Sequence, residues 1–196
     1  ISVFGGRKIT GKIYNQTYNL GKLLHANKYL VYCGGGKGVM EAIAKGVYDD
    51  GGHCVGILKG LNTDEMNPYI NIPIATNMGI TRNALLAYSC EASIAVSGQY
   101  GTLSEIAYAL QLDKPVIGLE TWDIDGVQKV NTELEVIEKL NHIFTWNSMR
   151  VLKAKIYGKV QGVWFRKYTF NFARGIGLVG MVKNLGDGTV LVNASG

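Results

Sequence analysis

Short apolar runs alternate with longer stretches whose apolar positions recur every three to four residues through the first two-thirds of the chain. Residues 1–4, 29–33, 53–58, 72–75, 92–97 and 115–119 read as strands. Residues 14–26, 38–48, 80–88, 102–112 and 132–140 read as helices, and Leu20, Leu23 and Leu24 share one face of the first. Strand–helix alternation of this kind predicts an α/β architecture, a doubly wound parallel sheet of about six strands covered by helices. Residues 59–72 form a polar loop containing Asn67-Pro68, and residues 141–150 break the alternation and read as a junction.

The pattern changes after residue 150. Residues 152–157, 180–184 and 189–193 read as strands, and Asp187-Gly188 between the last two marks a tight hairpin. Residues 164–173 read as a helix that brings Phe165, Tyr168, Phe172 and Ile176 close to one face, suited to covering a small sheet. Charge divides at the same place: net −2 over residues 1–145 and net +7 over residues 146–196, within a total of +5. Two units are therefore expected, 1–145 and 149–196, of different origin. Met149 stands where an independent protein of the second type would start, so a gene fusion or a read-through between neighbouring frames is expected. The chain opens on Ile1-Ser2-Val3-Phe4, already a core strand with no initiator Met, and a trimmed N-terminus is expected.

The composition, 47% hydrophobic, supports a packed core. Cys33, Cys54 and Cys90 are too widely spaced, and odd in number, for a disulfide framework or a zinc site; buried reduced thiols are expected. No signal peptide and no apolar stretch of ~20 residues occurs, which points away from a membrane and to a cytoplasmic location. The basic residues of the second unit occupy strand and motif positions rather than a run. That favours a small phosphorylated partner over nucleic acid.

Two glycine-rich loops fall between a strand and a helix in the first unit. One is Gly34-Gly35-Gly36-Lys37-Gly38-Val39-Met40 and the other is Ser97-Gly98-Gln99-Tyr100-Gly101-Thr102-Leu103-Ser104-Glu105. Such turns place free N–H groups and a helix dipole at one spot, and phosphate is the natural occupant. With Arg82 in Met78-Gly79-Ile80-Thr81-Arg82-Asn83, the set resembles the SLOG superfamily. That superfamily holds Lonely Guy-type phosphoribohydrolases, proteins once labelled lysine decarboxylases, and molybdenum-cofactor carrier proteins. Gly101 to Glu105 match the core of the family's PGGxGTxxE motif, and Arg82 matches its arginine. The resemblance implies a Rossmann-like domain that binds a nucleotide or a molybdenum cofactor and assembles as a homo-oligomer. Gly34, Gly35, Gly36 and Gly38 would form its first ligand loop, and Gly98, Gly101 and Thr102 would hold a phosphate. In a phosphoribohydrolase Glu105 would stabilise charge on the ribose or orient a water, and Arg82 would position sugar and carboxylate. Ser97-Gly98-Gln99 in place of Pro-Gly-Gly, and Asn83 where lysine is usual, look more like the carrier branch. Trp122 is expected to pack rather than to stack on a base. No lysine context suggests a pyridoxal Schiff base.

In the second unit, Ile156-Tyr157-Gly158-Lys159-Val160-Gln161-Gly162-Val163-Trp164-Phe165-Arg166 runs from a strand through a glycine turn to an arginine, and Asn184 follows on a later strand. Backbone N–H groups and a guanidinium can seize one anion, and an asparagine can hold a water beside it. Both segments resemble acylphosphatase, a family of βαββαβ ferredoxin-like fold about twice the length present after Arg150. The resemblance implies that Arg166 and the N–H groups from Gln161, Gly162 and Val163 onward hold a phosphate and that Asn184 orients the attacking water. No metal or cofactor is required. The expected function is hydrolysis of a carboxyl–phosphate anhydride by the second unit, joined to a domain binding a nucleotide or phosphorylated cofactor. The alternatives are a non-catalytic nucleotide or molybdopterin-type carrier or sensor, and a nucleoside 5′-monophosphate phosphoribohydrolase.

Overall fold

Seven strands lie side by side in one parallel sheet in the computed structural model, which describes residues 1–148 and 151–195. They are β1 (Ser2–Gly5), β2 (Val31–Cys33), β3 (Cys54–Leu58), β4 (Ile72–Ala75), β5 (Ser93–Val96), β6 (Val116–Leu119) and β7 (Val127–Val130). The order is β4-β3-β2-β1-β5-β6-β7. The central strands read as unbroken apolar runs because both faces are covered. All of β3, β5 and β6 is buried, whereas the edge strand β4 is exposed throughout and carries Pro73.

The helices are α1 (Gly11–Ala26), α2 (Val39–Asp49), α3 (Asn83–Tyr88), α4 (Tyr100–Gln111) and α5 (Glu133–Ser148). From β1 the chain steps outward through β2, β3 and β4, then returns to lay β5 on the other side of β1. Right-handed crossovers in opposite directions put α1 and α2 on one face and α3 and α4 on the other. The loops after β1 and β5 diverge at this reversal and leave a crevice at the strands' carboxyl ends. Glycine permits the tight α1–α2 packing: a Cβ at Gly46 would collide with the Tyr18 carbonyl. Phe4, Leu86, Ala95, Ile106 and Val116 form the core beneath α3 and α4.

Three local expectations change. The sheet has a seventh strand, β7, whose Val127-Gln128-Lys129-Val130 keeps two exposed polar residues at the sheet edge and so reads as a loop. The helix expected over 80–88 is divided into a 3₁₀ turn, Gly79–Arg82, and α3, with Arg82 at the joint. Residues 141–148, expected as a junction, continue α5, since no glycine or proline interrupts them. Met149 and Arg150 lie outside the described residues.

Contacts divide the chain into residues 1–140 and 141–196. In the second unit β8 (Val151–Ile156), β9 (Val179–Asn184) and β10 (Val190–Ser195) form an antiparallel sheet in the order β8-β10-β9, accompanied by α6 (Phe165–Gly175). Central β10 buries Val190, Val192 and Ala194, but α6 has no buried residue. Leu185 N–H donates to Thr189 O at 2.8 Å and closes the turn between β9 and β10. No helix among the described residues is long and apolar enough to cross a membrane.

Candidate functional site

The loop after β2 turns at Gly35 (φ +70°) and Gly38 (φ +71°), conformations that favour glycine. Buried Asn67 pins it: its Nδ2 donates to Gly35 O (3.1 Å) and Gly36 O (2.8 Å), and its backbone N–H to Gly35 O (2.8 Å). Val39 N–H, at the start of α2, donates to Gly6 O at 3.0 Å, so that donor is already partnered by the loop after β1.

Arg82 lies directly on the first loop. A Cβ at Gly34 would stand 2.7 Å from Arg82 Nη1 and 2.9 Å from Nη2, so glycine makes room for the guanidinium. Arg82 Nη1 is 3.6 Å from Glu105 Oε1, and both side chains are 8% exposed. Burial pushes the Glu105 carboxyl up to about 8 against the pull of Arg82. Burial also lowers Arg82, opposed chiefly by Glu105, yet a guanidinium stays charged at neutral pH. Burial thus works against a full negative charge on Glu105 beside the Arg82 cation. Nε and Nη1 of Arg82 and Oγ1 of Thr102 are buried without a hydrogen-bond partner. Unpaired buried donors are costly, and an incoming anion would satisfy them.

On the second loop, Asn83 Nδ2 donates to Ser104 Oγ (3.0 Å) and Gly101 O (3.4 Å), which ties the Arg82 turn to the start of α4. Gly98 sits beneath Trp122, whose ring would be 2.9 Å from an added Cβ, so this tryptophan packs on the loop. A cavity of about 210 Å³ gathers Arg82, Gly101, Thr102 and Glu105, with Arg7 and Lys59 also in its wall. A neighbouring one of about 450 Å³ takes in Gly34 and Gly36 and shares Arg7 and Lys59. Gly35, Gly38 and Gly98 shape the turns and line neither cavity.

In the second unit the glycine turn bends at Gly158 (φ +110°) and Gly162 (φ +76°), and Trp164 adopts a left-handed conformation (φ +64°) before α6. Arg166 is exposed in the first turn of that helix. Gln161 Nε2 donates to Leu185 O (3.0 Å) and Thr189 O (2.9 Å), which fastens the loop to the turn that follows Asn184. A pocket of about 360 Å³ brings together Gln161, Gly162, Trp164, Arg166, Lys167 and Asn184. Val163 is exposed and does not line it. Asn184 Oδ1 is buried without a partner.

Residues 1–150 match the SLOG cluster4 family. The chain belongs to that family. An uncharacterized protein of Archaeoglobus fulgidus is 38% identical over 138 residues, 70% of this chain and 91% of its own. Among solved structures, the molybdenum cofactor binding protein of Rippkaea orientalis superimposes with a TM-score of 0.70 at 30% identity, covering 73% of this chain and 95% of that one. Residues 152–196 match acylphosphatase, so an acylphosphatase domain follows the SLOG domain. The acylphosphatase of Rhodospirillum rubrum is 55% identical over 42 residues, 21% of this chain and 46% of its own. The chain spans about half the length of the acylphosphatases it matches.

Three polar residues of the SLOG crevice escape a motif reading: Arg7, Lys59 and Asn67. They come from the loops after β1 and β3, and only the sheet order makes them neighbours. A signal exists for Arg7, which directly follows Gly5-Gly6 at the end of the strand where the sheet reverses. In the acylphosphatase domain the sequence motif covers the backbone of Gln161 but not the bonds of its side chain.

Proposed function

We propose that the acylphosphatase domain hydrolyses carboxyl–phosphate anhydrides and that the SLOG domain holds a phosphorylated small molecule. The convergence of Arg166 and Asn184 on one pocket carries the first reading. The phosphoryl group would lie against the glycine turn and the Arg166 guanidinium, where N–H groups and positive charge meet the equatorial oxygens. Asn184 Oδ1, an acceptor with no partner, is suited to hold a water by one proton and aim its lone pair at phosphorus. Attack forms the P–O bond, the acyl oxygen leaves as carboxylate with the bonding electrons, and the water's proton passes to solvent. A carboxylate leaves readily at neutral pH, so positioning and charge stabilisation suffice. Hydrolysis of benzoyl phosphate tests this. Turnover by the chain that is lost in Arg166→Ala and Asn184→Ala supports it; turnover equal in all three sinks it.

For the SLOG domain the carrier or sensor reading is favoured over phosphoribohydrolase chemistry by Ser97-Gly98-Gln99 and Asn83 at the motif positions and by the burial of Glu105. Burial pushes its carboxyl up, which disfavours the anion that would stabilise positive charge growing on a ribose. The unpartnered donors of Arg82 and Thr102 fit a phosphate, including that of a molybdenum cofactor such as the Rippkaea orientalis protein binds. Arg82, Thr102 and the N–H groups near Gly101 would hold that phosphate; the cofactor's metal would supply redox chemistry elsewhere. Nucleoside monophosphates should raise the melting temperature without release of base. Base release that depends on Glu105 would overturn the carrier reading.

A further inference from the structure

The cations of the SLOG crevice stand at the joint between its two cavities. Arg7 and Lys59 line both. Arg82 lines the smaller one and lies on Gly34, which lines the larger. No other lysine or arginine faces either space among the described residues. A terminal phosphate would place its charge at the end of a ligand, and the ligand would then extend into only one cavity. The larger cavity, about 450 Å³, falls within the ~300–1,000 Å³ usual for small-molecule sites, but the smaller one that Arg82 lines, about 210 Å³, falls below it, so a ligand anchored on Arg82 needs the adjoining space.

We propose that the SLOG domain takes a ligand with an internal diphosphate bridge, the bridge held by Arg7, Lys59 and Arg82 and a group extending into each cavity. The proposal rests on the reading of this domain as a binder of phosphorylated molecules. Two observations beyond the cation cluster point to such an anion. Arg82 is more than nine-tenths buried, with Nε and Nη1 unpartnered, and its neighbour Glu105 does not supply a full counter-charge at neutral pH. Arg7 and Lys59 meanwhile converge on one surface carboxylate: Glu65 Oε2 is 3.0 Å from Lys59 Nζ and 3.9 Å from Arg7 Nη2. Glu65 is 69% exposed and sits on a polar loop, so it stands where a ligand anion would sit and is easily displaced. Beyond the joint, Asp64 lines the larger cavity, its Oδ2 accepting from Asn62 Nδ2 at 2.6 Å and its other oxygen open to a sugar hydroxyl, and Ile80 and Met40 give the smaller one apolar wall.

Calorimetric titration of the full chain with P1,P2-di(adenosine) diphosphate and with AMP tests the proposal. Both probes carry about two negative charges near neutral pH; the bridged probe also carries a second adenosine, so the loss of its preference in the charge variants, not the affinity ratio alone, reports on the bridge. The bridged probe should bind at least about tenfold more tightly. Arg7→Ala and Lys59→Ala, both at partly exposed positions, should each weaken it about tenfold, the range of one charge-assisted hydrogen bond, and shrink its preference over AMP. Glu65→Gln should tighten it about two- to fivefold by removing the competing carboxylate. AMP binding as tightly as the bridged probe, or a preference unchanged in Arg7→Ala, overturns the diphosphate proposal and leaves the phosphorylated-ligand reading intact. Binding of neither probe, nor of inorganic pyrophosphate, overturns both.

Discussion

The two candidate sites present arginine to an anion in opposite settings. In the SLOG domain Arg82 is 8% exposed, wedged on Gly34 and 3.6 Å from Glu105, with Nε and Nη1 lacking a hydrogen-bond partner. In the acylphosphatase domain Arg166 is exposed at the start of a helix that buries none of its residues. A buried cation with unsatisfied donors gains most when an anion arrives and loses most when it leaves, which suits retention of a ligand. An exposed guanidinium over a glycine turn lets phosphate enter and depart, which suits turnover. On the proposed reading, the same side chain would serve holding or catalysis according to what surrounds it.

The sharpest break of this contrast lies in the scaffolds. Ile43→Ala, at a fully buried position of α2, should destabilise the SLOG domain by about 2–5 kcal/mol. Phe172→Ala, 60% exposed on α6, should change stability by less than about 0.5 kcal/mol. Urea unfolding of the two variants checks both, and equal losses would contradict the described difference in burial. Next in size is Arg166→Ala, which should lower kcat/KM for benzoyl phosphate about 10²–10³-fold, as removal of a charge-stabilising donor does elsewhere. Gln161→Leu comes third. It deletes the bonds to Leu185 O and Thr189 O, and kcat should fall about tenfold with KM little changed, because the loop loosens beside Asn184.

The legible parts of the fold were those whose environment is uniform. Strands β3, β5 and β6 are buried on both faces and appear as apolar runs; β7 keeps Gln128 and Lys129 exposed at an edge and so went unseen. The helix α5 passes through residues 141–148 because nothing there stops it, although the end of the strand–helix alternation there reads as a junction. Of the SLOG crevice, Arg82, Gly101, Thr102 and Glu105 carry a motif and do meet in one cavity. Arg7, Lys59 and Asn67 carry none, since their proximity arises from parallel pairing of strands far apart in sequence. The side-chain bonds of Gln161 are invisible for the same reason: their acceptors lie on a hairpin turn 24 and 28 residues away.

Two smaller effects sharpen the contrast from the SLOG side. The Glu105 carboxyl is pushed up to about 8 in the folded protein, whereas an unfolded glutamate titrates near ~4.3. The folded state then holds the extra proton between those values, so stability falls as pH rises through that window and levels off above about 8. Denaturant titrations at pH 5 and pH 8 should show this loss, and Glu105→Gln should flatten it. Thr102→Val removes a buried hydroxyl that has no partner. It should leave stability within about 0.5 kcal/mol or raise it slightly, while weakening binding of AMP.

Inorganic phosphate titrated into isotopically labelled chain, with backbone amide shifts followed by NMR, tests the two-site account most directly. Two groups of amides should move with separate midpoints. One lies around residues 34–36 and 98–105 and should stop responding in Arg82→Met; the other lies around residues 158–166, with the Asn184 side chain, and should stop responding in Arg166→Ala. A single responding group, or a response around residues 158–166 that survives Arg166→Ala, would contradict the account.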